Sequence, residues 1–250
     1  TARAGVARVS TQVRDAAPRR AGQALMAVMR LDERLVNAVE PPVDAALDPT
    51  VPPWASTIQE HWADIRKEFD QLTDAGIRLP ETNDLVGVDQ HAQGRWTTYV
   101  MGWYGRWAEQ NCERCPTTAA LLHSIPGLQV AGFTVLGPQT RIPKHQGPTK
   151  SYRWQLGIRI PGRVGDCGLR IGDDPVLWRE GEILAFDDRT PHEAWNDSDE
   201  ERVVLFIQVP WPISGWRGVV HRSIQAAFGR ASKRIIEQAE RLDGELNPPA

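Results

Sequence analysis

The chain has 250 residues, 41% of them hydrophobic and 24% charged, an ordinary globular composition that excludes a fibre or a disordered tail. A formal net charge of −3 argues against a dedicated nucleic-acid binder. Three cysteines exclude a disulfide scaffold and favour a reducing, cytoplasmic compartment.

No apolar run approaches the ~18 residues of a membrane span, and the arginine-bearing opening TARAGVARVSTQVRDAAPRRAG has no apolar segment, so it does not read as a signal peptide. A single domain with three zones is expected. Residues 1–93 read as a helical region. Leu25, Val28, Met29, Leu35 and Val36 recur at helical spacing over 16–39. The prolines of PPVDAALDPTVPPW then break the helix. A second helix is predicted over 55–72, with Trp62, Ile65 and Phe69 on one face, followed by a turn-rich linker, DAGIRLPETND.

Over residues 94–212 the period changes. WTTYVMGWY, LQVAGFTVLG, YRWQLGIRI, GLRIG, PVLW, EILAF and RVVLFIQVPW are short β-type runs parted by Gly and Pro. That spacing predicts a sandwich, barrel or jelly roll, interrupted by one helix over 117–123. Residues 213–250 read as a C-terminal helix. Val219, Val220, Ile224, Ala227 and Phe228 would form its apolar stripe, beside Arg217, Arg222, Arg230, Lys233 and Arg234. Flanking helices ordinarily pack such stripes on the barrel, and this is preferred to peripheral docking on a membrane surface. The fold class expected is mainly β with flanking helices around a jelly-roll core.

Of six histidines, two have informative contexts. His145 lies in RIPKHQGPT, read as a loop after the strand that holds Thr134; His192 lies in AFDDRTPHEAW, before the last strand. A mononuclear iron site on a β-barrel draws histidines from an early and a late strand and adds a carboxylate. The usual place for that carboxylate, two residues after the first histidine, is Gly147. Asp187 or Asp188 could ligate a metal or orient His192, and spacing does not choose. Arg202 opens the strand RVVLFIQV, where a buried cation needs an anionic partner such as a dicarboxylate. Alternation puts Arg153, Gln155 and Gly157 on one strand face and Tyr152, Trp154 and Leu156 on the other.

The segments LQVAGFTVLGPQTRIPKHQGPT, SYRWQLGIRIPG, CGLRIGDDPVLWREGEILAFDDRTPHEAWND and ERVVLFIQVPWP resemble the aspartyl/asparaginyl β-hydroxylase family. The resemblance implies a double-stranded β-helix (cupin-like) fold and a non-haem Fe(II), 2-oxoglutarate-dependent dioxygenase using O2. It implies His145 in HQGP and His192 in HEAW as iron ligands and the catalytic centre, Gly147 being the family's own residue there. It further implies that Arg202 holds the distal carboxylate of 2-oxoglutarate with support from Thr134, and that Arg153 and Gln155 contribute to the same site. Gln155 stands where the animal members carry a histidine, and a cosubstrate-contacting tryptophan of those members falls on Gly102, beside Trp103.

The function expected is hydroxylation of an unactivated C–H in an amino-acid-like, carrier-bound or lipid-acyl substrate, with release of succinate and CO2. Set against it are a jelly-roll binding module without catalysis, and an iron oxygenase that uses no 2-oxoglutarate. Cys112 and Cys115 lack the further ligands a zinc site needs and are read as a structural pair. Ten tryptophans suggest a pocketed protein, with Trp103 and Trp195 as walls of the site.

Overall fold

The structure, a computed structural model, describes residues 46–48, 52–86, 92–147, 151–210 and 213–248. The helix expected over 16–39 lies outside the described residues, as do Pro148 and Trp211. The strands are β1 (Ala46–Leu47), β2 (Trp96–Trp103), β3 (Arg106–Trp107), β4 (Val130–Leu136), β5 (Thr140–His145), β6 (Ser151–Arg159), β7 (Cys167–Ile171), β8 (Asp174–Leu177), β9 (Ile183–Asp187), β10 (His192–Asn196) and β11 (Arg202–Pro210). The helices are α1 (Pro53–Glu60), α2 (Trp62–Asp74), α3 (Thr82–Val86), α4 (Glu109–Arg114), α5 (Pro116–His123), α6 (Gly215–Ala231) and α7 (Arg234–Leu246).

One sheet has the order β1-β9-β6-β11-β4-β2-β3 and the other β5-β10-β7-β8, and the paired strands are antiparallel. From β4 to β11 the chain passes back and forth between the two sheets. That alternation winds a double-stranded β-helix.

The central strands of the large sheet are apolar on one face and mixed on the other. Val203, Leu205, Ile207 and Val209 of β11 join Trp154, Leu156 and Ile158 of β6 and Phe133 of β4 in one core, closed by Ile58, Ile65 and Phe69 of α1 and α2. The opposite residues, Arg202, Phe206, Gln208, Arg153, Gln155 and Thr134, turn into the barrel. With both faces buried, these strands read as nearly continuous apolar runs.

Two local features hold the helices against the sheet. The Trp62 indole donates to the Gly157 carbonyl at 2.8 Å. The buried Glu68 carboxylate accepts from the Thr117 and Thr118 amides and the Thr118 hydroxyl at 2.6–2.8 Å, capping the first turn of α5 from outside. Cys112 and Cys115 are free and buried; burial pushes their thiols to about 11 and about 12, and that of Cys167 to about 11.

Several expectations are corrected. The region read as helical also supplies β1, which pairs with β9. The predicted helix over 55–72 is two, α1 and α2, parted at His61. The C-terminal helix is likewise two, α6 and α7, parted at Ser232 and Lys233. Val219, Val220 and Ala227 do not pack on the barrel; they are exposed.

At the β9–β10 turn, Asp187 and Arg189 are fully buried and paired: Arg189 donates from its backbone amide and from Nε to Oδ1, each at 3.0 Å, and from Nη2 to Oδ2. Removing one partner of such a pair strands a buried charge. Asp187→Ala is expected to cost about 3–5 kcal/mol, measured by equilibrium denaturation.

Candidate active site

The small sheet sets the two histidines. His192, the first residue of β10, pairs in register with His145, the last residue of β5. Simple alternation from the inward-facing Ile142 would turn His145 outward. A register shift lies between the His192 and Ala194 pairs, with β5 advancing three residues while β10 advances two. This bulge re-aims His145 into the barrel. Pro143 fits there because β5 is an edge strand. His145 is therefore a strand residue, not the loop residue its context suggested.

The ring centroids lie 4.2 Å apart. His145 Nδ1 donates to the Pro143 carbonyl at 2.9 Å and His192 Nδ1 to the Thr190 carbonyl at 2.8 Å. Each ring thus fixes its proton on Nδ1 and keeps the Nε2 lone pair for a metal. Burial lowers the His192 imidazole to about 3, helped by the neighbouring charges of Arg153 and His145; burial also lowers His145. Two neutral imidazoles with outer nitrogens committed are the form that ligates iron, so the donor set fits that metal.

Asp188 brings a carboxylate to the same place. A Cβ built on Gly147 would fall 1.5 Å from Asp188 Oδ2, and the Gly147 amide donates to the Asp188 carbonyl at 2.7 Å. The Asp188 carboxylate thus occupies the space that a side chain two residues after His145 would need. It lies 3.8 Å from His192 Nε2 and pairs with the Arg153 guanidinium. Burial pushes its carboxyl up, against the pull of Arg153. Asp187, by contrast, is committed to Arg189.

Arg202 is 2% exposed, and among the described residues no carboxylate pairs with it. Its guanidinium lies over the Trp178 ring, 4.3 Å from the centroid. Burial lowers it to about 10, so it stays charged at neutral pH. The Gln155 side-chain oxygen is also buried without a partner.

One cavity of about 230 Å³ is lined by all six residues singled out in the sequence: Thr134, His145, Arg153, Gln155, His192 and Arg202. The register gives it direction. Arg202 sits on the rung of Leu136 and Trp96; Thr134 on that of Val204 and Thr98; Gln208 on that of Val130, Trp103 and Arg153. At the Trp103 end, Leu85 of α3, Phe228 of α6 and Ile235 of α7 complete the wall, where Phe228 meets Tyr104 and the Trp103 indole donates to Ser232.

Trp103 faces the cavity because β2 carries a bulge: Val100 and Gly102 oppose the successive residues Gly132 and Ala131, leaving Met101 extra. Trp195 does not line it. It packs over Gly168 on the outer side of β10, donating to the Gly165 carbonyl at 3.0 Å. Sequence reasoning missed Trp96 as a wall and Trp178 as the platform under Arg202. Trp178 closes the β-type run PVLW, and nothing local in the sequence links it to Arg202.

A family model for aspartyl/asparaginyl β-hydroxylase matches residues 59–212. The chain belongs to this family. Over 168 residues it is 34% identical to the ornithine lipid ester-linked acyl 2-hydroxylase of Rhizobium tropici, covering 64% of this chain and 58% of that one. Over 166 residues it is 30% identical to the aspartyl/asparaginyl β-hydroxylase of Homo sapiens, covering 62% and 21%. Over 167 residues it is 33% identical to the aspartate β-hydroxylase domain-containing protein 2 of Xenopus tropicalis, covering 62% and 44%. The chain thus spans between about a fifth and three-fifths of the length of these relatives. They and the family model place it in a hydroxylase family.

Two outcomes follow from this geometry. His192 titrates at about 3 folded, against 6.5 ordinarily, so between these values the unfolded chain binds the extra proton. Stability of the metal-free protein should be unaffected by His192 above pH 6.5 and fall as pH drops below it, by up to ~1.4 kcal/mol per pH unit; denaturation of His192→Gln at several pH values should show a shallower slope. Gly147→Asp should destabilise by about 1–3 kcal/mol through overpacking, and Gly147→Asp/Asp188→Gly should recover most of the loss in thermal melts.

Proposed function

We propose that this hydroxylase-family chain is an Fe(II)/2-oxoglutarate-dependent dioxygenase acting on a lipid-linked acyl chain. The observation that carries the cosubstrate is Arg202, a buried cation with no anionic partner among the described residues, in a cavity whose wall also holds a pair of neutral imidazoles. A dicarboxylate reaching from the imidazoles to Arg202 would supply the missing charge through a bidentate contact.

His145 and His192 would hold the metal through Nε2. When bound, Fe(II) supplies the activation of O2: a substrate C–H, O2 and 2-oxoglutarate give the C–OH product, succinate and CO2. Arg202 anchors the far carboxylate, Trp178 fixes the guanidinium plane, and the Thr134 hydroxyl supports that carboxylate. The Gln155 oxygen is an unfilled acceptor for the cosubstrate or substrate. Asp188, held by Arg153 beside the imidazoles, would offer a hydrogen-bond acceptor next to the metal-holding residues. No general base is required, so the protein's work is orientation and exclusion of water.

The substrate reading rests on the other end of the cavity. Leu85, Val100, Trp103, Phe228 and Ile235 give an apolar wall, which suits an acyl chain better than a polar side chain. The name of the Rhizobium tropici relative, an acyl 2-hydroxylase, supports the same reading.

His145→Ala and His192→Ala should abolish succinate formation. Arg202→Ala should raise the KM for 2-oxoglutarate on the order of a hundredfold, the loss for one partner of a desolvated charge pair. Turnover retained in both histidine variants would overturn the metal site, and turnover without 2-oxoglutarate would overturn the cosubstrate. Incubating lipid and metabolite extracts under ¹⁸O₂, followed by mass spectrometry, tests the substrate: label in acyl lipids is expected, and label confined to amino acids would overturn that assignment.

A further inference from the structure

Helix α6 is built inside out. The residues it buries are Gly218, His221, Gln225 and Gly229, at spacings of three and four. The approach on that side is close: a Cβ on Gly218 would meet the Ile213 carbonyl oxygen at 2.0 Å, and one on Gly229 would meet Tyr104 Cβ at 2.6 Å. Glycine must therefore face inward at these two positions, while Trp216, Val219 and Val220 face out. Trp216 is 67% exposed, Val219 55% and Val220 37%, three of the five large exposed hydrophobics among the described residues. All lie within two turns of one helix, so they form a patch rather than scattered exposure.

The charges on α6 itself have one sign, and beyond its end Lys233 lies 3.6 Å from Glu237 of α7. Arg217, Arg222 and Arg230 are exposed on α6, Lys233 and Arg234 follow at the bend, and α6 contains no acidic residue, although the whole chain carries −3. Helical spacing sets Arg230 on the outward face with the valines and puts Arg217 and Arg222 at its two margins.

We propose that the outward face of α6 docks on the surface of an anionic lipid bilayer. Trp216, Val219 and Val220 enter the boundary between headgroups and acyl chains, and the arginines lie among the phosphates. Tryptophan suits that boundary, with an apolar ring and a polar N–H. A nucleic acid would engage the arginines but leave the valines in water. A second copy of this chain, docked through a two-fold axis, would set arginines against arginines. Phe228 of the same helix lines the cavity, so the helix at the membrane would also be the wall of the reaction chamber. The inference rests on the outer face of α6 alone; a different reaction or substrate would leave it standing.

The test is flotation of the full chain with vesicles of phosphatidylcholine alone or mixed with phosphatidylglycerol. Binding to the mixed vesicles is expected, weakening as salt rises. Val219→Glu/Val220→Glu should abolish it, with a melting curve unchanged because both positions are exposed. Each of Arg217→Gln, Arg222→Gln and Arg230→Gln should weaken it roughly fivefold. Three outcomes would overturn the proposal: no binding to phosphatidylglycerol vesicles, binding equal in the double variant, or a dimer in light scattering that the double variant makes monomeric.

Discussion

The pairing of β5 with β10 is the constraint on which the site depends. It sets His145 directly across from His192, and the extra residue in β5 decides that both rings face inward. Neither ring is then free to turn, because each Nδ1 is tied to a carbonyl two residues earlier in its own strand or turn. The turn that delivers His192 is fixed in its own right by the buried Asp187–Arg189 pair. The orientation of the imidazoles thus follows backbone pairing and turn structure.

The large sheet solves a different problem, which is to hide charge without losing its core. Its strands give every second residue to the helix-side core and the others to the cavity. The apolar rows can then support a barrel that holds Arg202 and the Arg153–Asp188 pair in its interior. A buried guanidinium without an anion is unfavourable, and its contact with Trp178 offsets only part of that cost. Such a site is less stable than an apolar filling would be, a cost consistent with the proposed dicarboxylate cosubstrate.

Much of this was legible in the sequence. The β-type runs marked most strands of the large sheet but only β7 and β8 of the small one, and alternation along SYRWQLGIRI separated Arg153 and Gln155 from Trp154, which packs against Trp54 on the far side. The six site residues came from a motif resemblance, and the fold gathers them around one cavity. What escaped depends on breaks in periodicity. The β5 bulge shifts the alternation by one residue, which hid the strand character of His145; the β2 bulge turns Trp103, expected as a wall, into the cavity. Trp195 was misplaced because nearness to His192 in sequence outweighed the alternation that sends it outward. The α6 stripe failed for a packing reason: apolar spacing predicts a buried face, but Gly218 and Gly229 are needed where the backbones approach. Asp188 was visible as a residue near the site, yet only the fold shows it filling the space that Gly147 leaves.

The three cysteines, noted above as buried and protonated, have a chemical consequence. Sulfur reacts with peroxide chiefly as thiolate, and only where peroxide can reach it. With thiols held at about 11 to 12 and enclosed by the fold, Cys112, Cys115 and Cys167 present neither condition at neutral pH. Under the proposed oxygen chemistry, the fold would thus keep these three thiols out of circulation. Its redox durability is written into the same packing that joins α4 and α5 to the barrel.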